Sequence, residues 1–106
     1  MIIKINSFQN KEYNATAEYL NGKVIVLAGS KVNKRISPLL ASKGLAMKLR
    51  KNNELIKDGI LLKDCMFNSL STAAQFVTGN ITNGKIRWFL EDGRKMKEYL
   101  EEHKED

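Results

Sequence analysis

Phe67-Asn68-Ser69-Leu70-Ser71-Thr72-Ala73-Ala74-Gln75-Phe76-Val77-Thr78-Gly79-Asn80-Ile81-Thr82-Asn83-Gly84-Lys85-Ile86-Arg87-Trp88 reads as one short helix between two turn signals, followed by a strand. Ser71 is a candidate cap, because a serine oxygen accepts from the unpaired amides of a first helical turn. Ala73, Ala74, Phe76 and Val77 form an apolar stripe at helical spacing. Gly79 stands where a left-handed residue would stop the helix. Asn83-Gly84 is a tight-turn pair, since both residues tolerate positive φ. Beyond it Ile86, Trp88 and Leu90 alternate with Arg87 and Phe89, which predicts a strand. The stretch describes a scaffold that presents a turn and an aromatic beside positive charge, not a catalytic centre.

The 106 residues of the chain make one domain with a single core. No apolar run approaches the ~20 residues of a membrane helix. Met1-Ile2-Ile3-Lys4 lacks the apolar region and cleavage site of a secretory signal. The one cysteine, Cys65, has no partner for an internal disulfide, and the expected setting is cytoplasmic. One Cys and one His are too few for a usual zinc cluster, and no cofactor or metal is expected.

Charge is unevenly placed. The net charge is +6, yet residues 98–106 hold five acids and one lysine, a net of −4. The other ninety-seven residues carry seventeen bases against seven acids, or +10. A basic body with an acidic tail suits a polyanionic partner, most often nucleic acid. A net charge of this size also suits plain solubility.

Upstream, Met1 to Gln9 is either a short edge strand or a lead-in. Ala15–Leu20 and Lys23–Ala28 flank Asn21-Gly22, a strong hairpin signal. Val24-Ile25-Val26-Leu27 is apolar throughout, which predicts a central strand covered on both faces. Gly29-Ser30-Lys31-Val32-Asn33-Lys34-Arg35 then sets three cations on a turn. Gly-Ser-Lys lacks the upstream glycine and the spacing of a nucleotide-triphosphate loop. The loop is either a solvated basic turn or a set of phosphate contacts by Lys31, Lys34 and Arg35.

Ser37-Pro38 opens a helical turn. Gly44 breaks or bends the segment after it, in which Leu45, Leu49 and Ile56 share one helical face ended by Asp58-Gly59. On that helix Lys43, Arg50 and Lys57 would form a basic stripe. Ile60-Leu61-Leu62 and Cys65-Met66-Phe67 predict short strands around Lys63-Asp64. Cys65 reads as a small packed residue. Met96, Tyr99, Leu100 and His103 recur at helical spacing, so the chain ends in an amphipathic helix that docks on the body or on a second copy.

The order predicts an α+β fold: a small, mainly antiparallel sheet with two or three helices in a single domain. The expected division is a lead-in or edge strand at 1–14, the domain at 15–95 and an acidic amphipathic helix at 96–106.

Val26-Leu27-Ala28-Gly29-Ser30, Leu49-Arg50, Leu55 to Leu61, Phe67 to Ala74, Gly79, Asn83-Gly84 and Trp88 together resemble the domain of unknown function 4357 family. The pattern covers roughly residues 15–95, and departs from the family in Leu70, Asn68 and Thr72. The family also resembles the restriction-enzyme adenine-methylase-associated (RAMA) domain, and it often sits behind GIY-YIG nuclease domains or beside restriction-modification proteins. The resemblance implies an accessory role on nucleic acid. The nuclease part has no counterpart here.

The leading expectation is therefore a non-catalytic nucleic-acid-binding module, for DNA ahead of RNA or another polyanion. Phosphate contacts fall to Lys31, Lys34, Arg35, Arg50, Lys85 and Arg87, close approach to Asn83-Gly84, and base stacking to Trp88, although a lone Trp in an alternating strand is more often a core residue. The alternative is an interaction or inhibitor module, binding a nuclease, a defence protein or a small anionic nucleotide, or forming a homodimer through the C-terminal helix. No membrane contact is expected. No nucleophile–base pair, metal cluster or paired carboxylate argues for an enzyme.

Overall fold

The computed structural model describes residues 1–40 and 44–103, and of residues 45–47 the backbone alone. Five strands form the main sheet: β1 (Ile2–Asn6), β2 (Asn14–Leu20), β3 (Lys23–Val26), β6 (Cys65–Phe67) and β7 (Phe89–Leu90). Their order is β6-β3-β2-β1-β7, with antiparallel pairing throughout. A second hairpin joins β4 (Ile56–Lys57) to β5 (Ile60–Leu61). Among the described residues four α-helices complete the α+β fold: α1 (Gly44–Arg50), α2 (Leu70–Thr78), α3 (Gly84–Arg87) and α4 (Met96–Glu102). No described helix is long and apolar enough to cross a membrane.

The sheet has one dry face. Ile3, Ile5, Ala15, Ala17, Val24 and Phe67 are buried on it, as the two-residue period of a strand requires. Helix α2 lies against them, with the Phe67 and Phe76 rings 5.0 Å apart. The other face carries exposed Lys4, Glu18 and Met66. Strand β3 is thus central but not covered on both sides: Val24 and Val26 are buried, while Ile25 is half-buried between Glu18 and Met66. β-branched residues suit such a half-buried pleat, so an unbroken apolar run need not mean two covered faces.

Strand β1 is neither an edge nor a lead-in, since it pairs with β2 on one side and β7 on the other. The Asn21-Gly22 hairpin forms as expected, with both residues at positive φ, +51° and +81°.

Helix α2 is the hub. Ser69, not Ser71, caps it, accepting from the Thr72 amide at 3.1 Å. Gly79 ends it at φ +72°. The predicted strand at Ile86–Leu90 is instead a one-turn helix, α3, followed by the two residues of β7. Asn83 is responsible: it has φ −89°, not a left-handed turn, and its Oδ1 accepts from the Lys85 amide at 3.0 Å. Ser71 Oγ accepts from the Gly84 amide at 3.0 Å and fixes α3 to the start of α2.

Between α1 and β4 the chain turns through Asn52, whose Oδ1 accepts from the Glu54 amide at 2.9 Å. The expected long helix therefore stops at Arg50 and Lys57 belongs to β4. No Arg50–Lys57 stripe forms, and Lys43 lies outside the described residues, as does the Leu45 side chain. Gly44 begins α1 rather than bending it. Strand β5 pairs with β4, not with β6. The C-terminal helix docks on its own body: Met96 is fully buried, and Tyr99 and Leu100 pack on the core.

Candidate nucleic-acid interface

The segment after β3 is fastened at almost every residue. Ser30 Oγ accepts from the Thr16 amide at 3.1 Å and donates to the Thr16 carbonyl at 3.3 Å. Lys31 and Asn14 exchange backbone hydrogen bonds of 2.8 and 2.9 Å, and the Val32 amide donates to Gly59. Asn33 is buried. Its amide donates to the Val77 carbonyl at 2.8 Å and its Nδ2 to Thr78 at 2.9 Å. These bonds satisfy carbonyls that the end of α2 would otherwise leave open. A rigid backbone thus carries Lys34 and Arg35 outward, and both are exposed.

The loop 7–13 faces this segment. Lys31 Nζ reaches across and donates to the carbonyls of Lys11 (2.8 Å) and Asn10 (3.3 Å). Between them lies an open groove of about 380 Å³, lined by Lys11, Glu12, Lys31, Asn33, Lys34 and Arg35. Among the described residues Lys34 and Arg35 make no ion pair; the ion pairs are those of Arg94. Four cations against one carboxylate give a local positive field able to attract a polyanion.

An adjoining hollow of about 160 Å³ shares Asn33 and Lys34 with the groove and reaches Arg50. Arg50 is half-buried, and its Nη1 donates to the Phe76 carbonyl in the last turn of α2 at 3.0 Å. Burial pulls its guanidinium down to about 10, so it stays charged near neutrality. A cation at a helix C-terminus is favourably placed, and this seat belongs to the scaffold first.

The residues expected at the other end of α2 have different duties. Nine residues at 1.5 Å each put that end about 13 Å from the groove end of α2. Trp88 has 0% exposure and donates its Nε1–H to the Leu70 carbonyl at 3.0 Å, so no ring face is open to a base. Gly84 is buried, and a Cβ there would overlap the Leu70 carbonyl. Its missing side chain serves helix packing, not approach to a ligand. Asn83 is a cap. Arg87 donates from Nη2 to the Tyr13 hydroxyl at 3.0 Å, and neither it nor Lys85 lines the groove.

Lys11 escaped the sequence reading. Its signal is the polar run Gln9-Asn10-Lys11 between two strand patterns, which marks a loop.

The family model described as "Domain of unknown function (DUF4357)" matches residues 6–100, which include both walls of the groove and the whole of α2. The chain belongs to the DUF4357 family. The DUF4357 match is wider than the stretch 15–95 that carried the resemblance, and it takes in the loop that holds Lys11. No curated protein and no solved structure matches the chain.

Proposed function

We propose that this DUF4357 domain is a non-catalytic nucleic-acid-binding module that grips phosphates in the groove between loop 7–13 and segment 31–35. The observation that carries the reading is the convergence of Lys11, Lys31, Lys34 and Arg35 on one open depression. Lys34 and Arg35 stand on a backbone tied to the sheet and to α2, so little ordering is left for the moment of binding. Glu12 is the one carboxylate on the rim and limits how closely a phosphate approaches that side. Contacts of this kind position a strand without reading its sequence. A role beside restriction-modification proteins, with DNA ahead of RNA, belongs to the same proposal.

The test is a salt titration of binding to duplex and single-stranded oligonucleotides. Affinity falls by orders of magnitude between about 50 and 200 mM salt if several phosphates are neutralised. Lys34→Ala and Arg35→Ala each flatten the salt slope by about one unit, whatever the sequence. Lys85→Ala, at the far end of α2, leaves the slope unchanged. A flat salt dependence, or no binding of either form at low salt, overturns the reading.

A further inference from the structure

Phe8 is 82% exposed, more than any other large apolar side chain described. The surrounding backbone holds it there. Ser7 closes the loop: its Oγ accepts from the Glu12 and Tyr13 amides at 2.9 and 3.1 Å, and its own amide donates to the Tyr13 carbonyl at 3.0 Å. The next two residues, Gln9 and Asn10, have positive φ, +55° and +57°. Neither is glycine, and such a pair persists only where its surroundings over-determine it. Lys31 Nζ supplies part of that restraint through the Asn10 and Lys11 carbonyls. The Lys11 amide donates back to the Phe8 carbonyl at 3.3 Å, so the ring stands one turn of chain from a groove-lining cation.

Resting on the reading that the groove binds nucleic acid, we propose that Phe8 is a stacking platform for an unpaired base, so that the module takes single strands in preference to duplex. A base and its phosphate are joined through one sugar, so a platform beside the phosphate-gripping cations is within reach of the same nucleotide. Duplex bases bury their faces against each other and offer only edges in the grooves. An exposed ring face meets a base face only where that base is unstacked. The groove supplies charge attraction that ignores sequence, and the ring supplies contact that ignores base identity.

The experiment measures binding of oligo-dT, oligo-U and a mixed-sequence duplex to wild type and to Phe8→Ala, Phe8→Leu and Phe8→Trp. Phe8 lies on the surface, so folding is not at stake in these variants. Alanine and leucine weaken single-strand binding by about 5- to 150-fold, the contribution of one base–aromatic stack, with the salt slope unchanged. Tryptophan retains binding, and duplex affinity does not move. A loss confined to oligo-dT or to oligo-U supports the platform and assigns it to DNA or to RNA. Equal single-strand binding by wild type, alanine and leucine variants, with Lys34→Ala still weakened, overturns the platform and leaves the groove standing. Failure of all three oligonucleotides to bind at low salt overturns the groove, and the platform with it.

Discussion

The indole N–H of Trp88 donates to the Leu70 carbonyl at 3.0 Å, joining the residue after α3 to the first residue of α2. Both groups are buried, so the bond is made away from water. Trp88→Phe keeps most of the apolar volume and removes one of two donors to that carbonyl, which keeps its helical partner four residues on, at a cost of about 0.5–1.5 kcal/mol. Trp88→Ala adds a cavity and costs about 3–5 kcal/mol. Urea denaturation measures both, and oligonucleotide affinity of the folded fraction stays at the wild-type value.

Gly84 and Gly79 bracket the contacts of α2. A Cβ on Gly84 meets the Leu70 backbone, and one on Gly79 meets the Arg35 carbonyl while the residue also sits at φ +72°. Backbone atoms have little room to retreat. Gly84→Ala and Gly79→Ala are each expected to lower stability by about 1–3 kcal/mol or more. Thermal melts check this, with Gly93→Ala as comparison for left-handed strain alone, since that residue sits at φ +93° while its Cβ meets nothing within 4 Å.

Arg50→Met removes the donor to the Phe76 carbonyl. The expected loss is about 1–3 kcal/mol for a carbonyl left unmatched, read by chemical denaturation. The pH dependence comes from the lowered guanidinium. The unfolded chain holds this proton more tightly than the folded one, so stability gains from Arg50 only as pH climbs past about 10. Around neutrality wild type and Arg50→Met differ by a constant amount.

Asp92 shifts in the same direction, but its window lies in acid. The Arg94 amide donates to its Oδ1 at 3.0 Å and the Arg94 Nε to its Oδ2 at 2.9 Å, which holds the carboxyl below its ordinary 3.8. The folded chain releases this proton more readily, so the contribution is complete above 3.8 and fades as pH falls through the lowered value. Melting temperatures of wild type and Asp92→Asn should differ at neutral pH and converge in acid.

Much of the fold was legible where the deciding interactions are local. Asn21-Gly22 and Gly79 act within their own few residues, and the structure uses both as read. Trp88 shows where that stops. The alternation of Ile86, Trp88 and Leu90 was real but short, and Asn83 capping plus the packing of Gly84 on Leu70 turned the first part into a helix. The same distant contact took the tryptophan inward. Of the site, Lys31, Lys34 and Arg35 were legible as a cationic run. Lys11 was not, because only the tertiary meeting of two loops brings it to them. Arg50 was noticed for its charge, whereas its partner lies twenty-six positions away.

Met1 and His103 border one hollow, beside the hairpin tip at Asn21-Gly22. The cationic groove lies past the far end of β1, a five-residue strand spanning about 17 Å. A fluorophore, surface tether or fused protein attached at either place would project from the same pole and leave the opposite one uncovered. The domain therefore has a built-in handle, and immobilising it by that handle keeps its cationic pole available to whatever is flowed past.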